Sequence, residues 1–302
     1  MKNVSKIKKE TVRMATLILG HSGFIGQSIS KIFKQDKEKV IEISSKEINF
    51  LSSNSVKSLT SQLSIDTTVI MLIGIKKQYG DNLENWIKNE KILQNFVKAI
   101  TKKPPKHLIY FSSASIYGED INFKKEIKET TNPSFRTLYG ISKFNNENIL
   151  KKVCDDYHIP LMLLRPPLIY GHNDLSLGYG PTLFTYKTIK KELIDLWGDG
   201  KEKREFIYVD DLAFLCREII KKRATGILNT ISGISYTFLD IILELEKIMG
   251  TKIDIRYKKR TKDKVDHFFS PKIHHKMFPK FRYTNLNAGL KKLALNFEDK
   301  LK

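Results

Sequence analysis

The sequence predicts an α/β fold with a doubly wound parallel sheet, followed by a smaller C-terminal lobe. Short apolar runs alternate with amphipathic segments over the first half of the chain, which is the pattern of repeated strand–helix units. The first apolar run ends in three glycines at three-residue spacing, Gly20, Gly23 and Gly26. A turn of this kind joins the first strand to the first helix in many parallel sheets. At 302 residues, the chain is long enough for both the sheet and the lobe.

Local patterns place the individual elements in order. Short apolar or mainly apolar segments predict strands at 16–19, 39–43, 69–74 and 107–111, and the continuous apolar run at 69–74 is typical of a parallel strand covered on both faces. Apolar residues at helical spacing predict helices at 27–35, 56–63, 86–100 and 139–157. Strands and helices therefore alternate along the part of the chain that we expect to form the sheet.

The glycine turn predicts the phosphate site of a Rossmann-type dinucleotide-binding domain. Gly20 lets the chain turn sharply, Gly23 lets the backbone approach a pyrophosphate, and Gly26 lets the helix pack closely on the sheet. The helix N-terminus adds N–H groups and the positive end of the helix dipole. We expect the following residues to hold the cofactor here: Gly20, Ser22, Gly23, Phe24, Ile25 and Gly26. The alternative is an ordinary glycine turn.

The end of the second predicted strand bears on the choice between NAD and NADP. In such domains, an acidic residue about 20 residues beyond the glycines binds the free 2′-hydroxyl of NAD. Here the strand is followed by Ser44, Ser45 and Lys46, and small hydroxyls with a cation suit the 2′-phosphate of NADP. Glu42 inside the strand and Glu47 after the lysine keep NAD open. The pattern slightly favours NADP over NAD.

A serine-rich strand end and a later Tyr-x-x-x-Lys pattern predict an acid/base site. The strand at 107–111 is followed by the small hydroxyl residues Ser112, Ser113 and Ser115. Tyr139 and Lys143 share one face of the next helix, and a nearby ammonium lowers the pKa of a phenol by roughly 1–3 units. Tyr139 would then serve as an acid/base near neutral pH. Tyr186 and Lys190 repeat the pattern without a serine-rich strand, so we interpret Tyr186 as an ordinary helix residue.

Several segments together resemble the extended short-chain dehydrogenase/reductases, the NAD-dependent epimerase/dehydratase family that acts on nucleotide sugars. They are the glycine turn, the segments 112–118 and 139–143, the segments 164–171 and 198–213, and the late pair Arg260 and Asp263. The resemblance covers about residues 15–295. It implies that Tyr139 is the acid/base, that Lys143 holds the nicotinamide ribose, and that Ser113 binds the reacting oxygen. We expect the remaining cofactor contacts from Ile73, Gly74, Ser112, Arg165 and Pro166.

The resemblance also implies a site for the sugar nucleotide. Arg204 and Arg260 would clamp its diphosphate, which guanidinium groups bind in bidentate fashion. Ser115 would contact the sugar, and His172 would be a second acid facing it; a polar loop histidine is the alternative. The implied reaction is hydride transfer at C4, either as epimerisation or as ketone reduction. Dehydratases carry an acidic pair where this chain has Ala114 and Ser115, which argues against dehydration.

Composition restricts the partners. The net charge of +20 comes from lysines spread along the whole chain, so we interpret it as a solvated surface and expect no nucleic-acid partner. An inactive NAD(P)-sensing or RNA-binding member of the same fold is the alternative function. The two cysteines, Cys154 and Cys216, form no disulfide pattern, and no apolar run reaches the ~20 residues of a membrane span. We expect a cytoplasmic protein without a metal site, and the resemblance implies a homodimer that pairs helices 86–100 and 139–157.

These expectations divide the chain into three parts. Residues 1–14 would be a basic tail, 15–168 the NAD(P)-binding Rossmann domain, and 169–302 mostly the substrate-binding lobe. A strand–helix unit at about 204–223 would return to the Rossmann sheet. Substrate would lie in the cleft between sheet and lobe.

Overall fold

A computed structural model describes residues 15–54 and 56–301, so the predicted basic tail at 1–14 lies outside the described residues. The strands are β1 (Ala15–Leu19), β2 (Lys39–Ile43), β3 (Thr68–Met71), β4 (His107–Phe111), β5 (Leu161–Arg165), β6 (Leu168–Tyr170), β7 (Ile194–Trp197), β8 (Lys203–Arg204), β9 (Phe206–Tyr208), β10 (Gly226–Asn229), β11 (Tyr236–Thr237) and β12 (Ile255–Lys258). The α-helices are α1 (Phe24–Gln35), α2 (Val56–Gln62), α3 (Leu83–Lys102), α4 (Leu138–Asp156), α5 (Pro181–Ile189), α6 (Val209–Lys222), α7 (Phe238–Met249), α8 (Lys272–Met277) and α9 (Leu286–Leu301).

The central sheet is parallel throughout. Within the described ranges it holds six strands in the order β10-β5-β4-β3-β1-β2. The chain runs from β1 outward to β2 and then returns to the other side of β1 as β3. This reversal opens a crevice at the carboxyl ends of β1 and β3, where open α/β sheets bind ligands.

Both faces of the sheet are covered, as the doubly wound prediction requires. Leu17 and Leu19 of β1 join one buried cluster with residues of α2, α3 and α4, whereas Ile18 joins a second cluster with residues of α1 and α6. This alternation follows from the two-residue period of a strand, which sends successive side chains to opposite faces. The predicted α/β fold with a doubly wound parallel sheet is confirmed.

The later part of the chain builds a third apolar cluster. Residues of α5, α7 and α9 pack there with residues of β7 and β9. The predicted return of residues 204–223 to the sheet is correct for the helix but wrong for the strand. Helix α6 packs against α1, whereas β9 pairs with β6, and the strand that joins the main sheet is β10, beside β5. Among the described helices, none has the length and apolarity needed to cross a membrane.

Candidate active site

A cavity of about 810 Å³ lies at the carboxyl edge of the sheet. The turn after β1, the segment after β3 and the segment after β4 line one part of it, and residues of the later lobe line the rest. Many of the predicted site residues meet here: Gly20, Gly23, Phe24, Ile25, Gly26, Gly74, Ser112, Ser113, Ser115, Tyr139, Lys143, Pro166 and Arg204. The cavity walls do not include Ser22, Ser44, Ser45, Lys46, Ile73, Arg165, His172 or Arg260.

The glycine turn has the geometry that its sequence predicts. Gly20 adopts φ +94°, in the left-handed region that favours glycine, and its N–H donates to the Ile43 carbonyl at 2.7 Å. A Cβ on Gly26 would stand 2.2 Å from the Gly20 carbonyl oxygen, so only glycine lets α1 begin this close to the turn. No side chain caps the N-terminus of α1 at Gly23. The first turn of α1 therefore offers N–H groups at the cavity, and these suit a phosphate.

The walls of the cavity fit a dinucleotide. The Ser112 and Ser115 hydroxyl oxygens are buried and have no hydrogen-bond partner among the described residues. Buried polar groups are normally paired, so partnerless hydroxyls on a cavity wall indicate a polar ligand. The open N-terminus of α1 lines the same cavity. These features fit a nicotinamide dinucleotide and a bound substrate.

The end of β2 differs from the expectation. Ser44 is buried, and its hydroxyl and its N–H both donate to the Glu47 carboxylate, at 2.5 and 2.7 Å. Glu47 and Glu42 each lie 4.0 Å from a ring nitrogen of His21, inside the glycine turn. Ser45 and Lys46 are exposed. The hydroxyl of Ser44 is thus already used by Glu47, and a contact of Ser44 with the cofactor stays a prediction.

Tyr139 and Lys143 lie on the first turns of α4. Thr137 caps this helix by accepting from the Gly140 N–H, and the Asp81 carboxylate accepts from the Tyr139 N–H at 3.0 Å. The Ser113 hydroxyl is close enough to the Tyr139 phenol to influence its pKa, and its oxygen accepts from the Ser115 N–H at 3.1 Å. The sequence pattern therefore brings together a phenol, a serine hydroxyl and an ammonium at one cavity.

The prediction that Lys143 gives Tyr139 a lowered pKa is wrong in this structure, where the pKa of the phenol is raised. The surrounding protein desolvates the phenol and raises the pKa of Tyr139 to about 12, although the nearby Ser113 hydroxyl opposes this rise. The Lys143 ammonium lies 5.8 Å from the centre of the Tyr139 ring and donates to the Phe111 carbonyl at 2.8 Å. Burial also lowers the pKa of Lys143 to about 8, which the nearby Glu147 carboxylate partly offsets. Desolvation therefore outweighs the attraction that the sequence suggested.

Arg165 forms an ion pair inside the protein. Its side chain is 3% exposed and forms a bidentate ion pair with Glu147 of α4, at 2.9 and 2.5 Å. It also donates to the Tyr117 hydroxyl at 2.7 Å. A buried guanidinium needs a carboxylate, and Glu147 supplies it inside the protein. A cofactor contact from Arg165 stays a prediction. Ile73 likewise packs against the apolar cluster of the sheet.

His172 lies away from the substrate space. Its ring stacks on Tyr208, and its Nε2 is 3.6 Å from the Asp210 carboxylate, which also accepts from the Ser28 hydroxyl at 2.6 Å. The contact connects the segment after β6 with α6 and α1. The ring is packed among these elements and does not line the cavity. Its role as a second acid facing the sugar stays a prediction.

The two predicted phosphate-binding arginines share one carboxylate. Glu202 binds Nη2 of Arg204 at 2.6 Å and Nη1 of Arg260 at 2.5 Å. Arg204 and Glu202 line the cavity, whereas Arg260 packs on Gly198, where its side chain occupies the space a Cβ would take. The sequence suggested the arginines but missed Glu202, because charged residues abound on both sides of it.

Glu205 also places a carboxylate in the cavity wall, and it was not among the predicted site residues. One of its oxygens accepts from the Ser232 hydroxyl and the Gly233 N–H, at 2.9 and 2.8 Å. Its other oxygen is buried and has no hydrogen-bond partner among the described residues. Burial raises the pKa of Glu205 to about 7. No group of three or more metal-ligating side chains occurs in the described part of the chain.

The fold and the cavity define a Rossmann-type protein with a dinucleotide site next to a tyrosine, a lysine and a serine. The model of the NAD dependent epimerase/dehydratase family matches residues 16–231. The chain therefore belongs to this family, the extended short-chain dehydrogenase/reductases that act on nucleotide sugars.

Individual relatives agree with this assignment. The UDP-glucose 4-epimerase of Yersinia enterocolitica is 28% identical over 315 aligned positions, which cover 87% of this chain and 91% of the relative. A UDP-glucose 4-epimerase from Thermotoga maritima, solved with UDP-glucose, is 20% identical with a TM-score of 0.82 and covers 96% of this chain and 100% of its own. The corresponding enzyme of Thermus thermophilus, solved with NAD, is 18% identical with a TM-score of 0.80, covering 94% and 99%. At these identities the two structures show the shared fold.

Proposed function

We propose that the protein is an NAD(P)-dependent nucleotide-sugar 4-epimerase. The observation that carries this proposal is one cavity with the glycine turn, the Ser113–Tyr139–Lys143 cluster and Arg204 in its walls. A dinucleotide and a sugar diphosphate both need phosphate-binding groups, and the glycine turn and Arg204 supply them separately. The relatives named above support the same substrate class.

Each residue has a chemical task in this proposal. The glycine turn and the first turn of α1 would hold the dinucleotide diphosphate, and Lys143 would hold the nicotinamide ribose. When bound, the cofactor supplies a hydride acceptor and donor and, when oxidised, a positive charge that favours the phenolate. Tyr139 would take the proton from the sugar O4 as the C4 hydride leaves, and would return it when the hydride comes back. Ser113 would hydrogen-bond the same oxygen and keep it aligned with the phenol.

A 4-ketoreductase is the second candidate. The exposed position of Lys46 at the end of β2 favours it. A reductase consumes NADPH from the cellular pool, and an exposed cation at the end of β2 suits the 2′-phosphate of NADPH. Ala114 and Ser115 line the cavity. Dehydratases of the family carry an acidic pair at these two positions, so we do not propose dehydration. The homodimer and the absence of a nucleic-acid partner remain predictions.

Turnover tests the proposed function. The purified protein is incubated with UDP-glucose, UDP-galactose and UDP-N-acetylglucosamine, each with NAD, and with a 4-keto nucleotide sugar and NADPH. Inversion at C4 supports the epimerase, and consumption of NADPH supports the reductase. Turnover of none of these compounds, together with tight RNA binding, would favour the inactive RNA-binding alternative.

Lys46 and Glu47 should act in opposite directions on the choice of cofactor. We propose that the Lys46 ammonium attracts the 2′-phosphate and that the Glu47 carboxylate repels it. Lys46→Ala should weaken NADP binding by roughly 3–10-fold while NAD binding changes little, as expected for one exposed charge contact. Fluorescence titration measures both affinities. Lys39→Ala, at the other end of β2, is the control; equal losses for NAD and NADP in Lys46→Ala would refute the role of Lys46.

A further inference from the structure

The carboxylate of Glu202 pairs both with Arg204, which lines the cavity, and with Arg260, which does not. Its two oxygens bind two different guanidinium groups, Arg204 at 2.6 Å and Arg260 at 2.5 Å. The three side chains are only 14–21% exposed, so water screens their charges less than on an open surface. This arrangement resembles the way a phosphate group binds between two arginines.

Both terminal nitrogens of Arg204 already contact protein oxygens. A guanidinium carries two N–H donors on each terminal nitrogen. Nη1 of Arg204 donates to the carbonyls of Lys203 and Val265. Nη2 contacts the Glu202 carboxylate at 2.6 Å and the Glu119 carbonyl at 3.5 Å. A diphosphate that binds the terminal nitrogens of Arg204 must therefore replace one of these partners.

Charge identifies Glu202 as the partner that must move. A diphosphate in a sugar nucleotide carries two negative charges, and Glu202 places a third next to the same two guanidinium groups. Carbonyl partners carry no net charge, whereas the carboxylate repels the ligand directly. Glu202 and Arg204 also line the same cavity, so the ligand meets both groups.

We propose that Glu202 is an internal counter-ion of the arginine pair, which the substrate diphosphate displaces on binding. This inference rests on the proposed function, because it requires a nucleoside diphosphate at Arg204. Displacement lowers the affinity for the diphosphate, since part of the interaction energy is used to break the two Glu202 ion pairs. The same competition speeds release of the product, because Glu202 recaptures the arginines.

Glu202→Gln tests this proposal, because glutamine keeps the size and one acceptor oxygen but removes the charge. We expect the dissociation constants of UDP, dTDP or GDP, whichever the parent protein binds, to fall by roughly fivefold or more in isothermal titration. The affinity for the corresponding nucleoside, which lacks phosphate, should not change. Glu84→Gln is the matched control, because Glu84 pairs with Lys88 on the surface of α3 at 2.5 Å. It should leave all affinities unchanged.

Three results would overturn the inference. Weaker diphosphate binding in Glu202→Gln would show that the carboxylate organises the arginines for the ligand. Unchanged binding would show that the carboxylate does not compete with the diphosphate. Equal tightening of the nucleoside would show an effect on the cavity as a whole. If Glu202→Gln unfolds, Glu202→Ala gives the same test. A parent protein that binds no nucleoside diphosphate, or an Arg204→Gln variant that binds as the parent does, would instead refute the proposed phosphate site itself.

Discussion

Tyr139→Phe should lower the turnover number for a nucleotide sugar by roughly 10²–10⁴-fold, the usual contribution of a positioned proton donor or acceptor. The substitution removes one hydroxyl and keeps the ring, so the fold should be unaffected. Cofactor affinity should change little, because the phenol hydroxyl lies near Ser113 and would act on the sugar oxygen. Steady-state turnover and fluorescence titration of the cofactor measure the two quantities. Lys143→Ala should reduce both, since its ammonium would serve the cofactor ribose and the acid/base.

Tyr186→Phe is the matched control for this prediction. Tyr186 has a lysine four residues later, as Tyr139 does, but it lies on α5 with its ring edge-on to Phe297 at 5.7 Å between centroids. It does not line the cavity. Its substitution should leave turnover within about twofold of the parent. An active Tyr139→Phe enzyme, or an inactive Tyr186→Phe enzyme, would contradict the proposed acid/base.

Glu147→Ala should destabilise the fold by about 3–5 kcal/mol. Glu147 is fully buried, and its removal leaves the buried Arg165 guanidinium without its carboxylate. The remaining partners of Arg165, the Tyr117 hydroxyl and the Glu129 carbonyl, are neutral and cannot replace that charge. Urea unfolding followed by circular dichroism gives the change in the free energy of unfolding.

An exposed ion pair provides the comparison. Glu84→Ala breaks the Glu84–Lys88 pair on the surface of α3 and should cost no more than about 0.5 kcal/mol. A cost below about 1 kcal/mol for Glu147→Ala would mean that water or another group solvates Arg165, and that the pair does not hold α4 to β5.

The fold could be predicted from the sequence because its signals are local. The strands at 39–43 and 107–111 agree with the observed bounds of β2 and β4. The run at 107–111 is buried throughout, as expected of a strand covered on both faces, whereas 39–43 contains Lys39 and Glu42 and forms the edge of the sheet. The glycine turn, Ser113, Tyr139 and Lys143 could be grouped because parallel strands end at one edge of the sheet. Strand β10 was missed because pairing with β5 is a long-range contact.

The side-chain partners were harder to predict. The ion pair of Arg165 was not predicted because its carboxylate, Glu147, lies on another element. A signal for Glu147 existed, since it follows Lys143 by four residues and therefore shares its helix face. Glu202 and Arg260 are 58 residues apart, and no local pattern joins them. Motifs therefore identify which residue types are present, whereas the chain fold decides which charges neutralise each other.

The proposed reaction transfers a hydride at C4, and an isotope label at that carbon tests the transfer. A nucleotide sugar that the parent protein converts is prepared with deuterium at C4, and product is analysed by NMR and mass spectrometry. If the protein is an epimerase, we expect inversion at C4 with the deuterium retained. For a reductase it predicts deuterium at C4 of the product when the NADPH is labelled at its transferable position. Loss of the C4 deuterium to water would contradict hydride transfer, because it would show that a proton and not a hydride leaves that carbon.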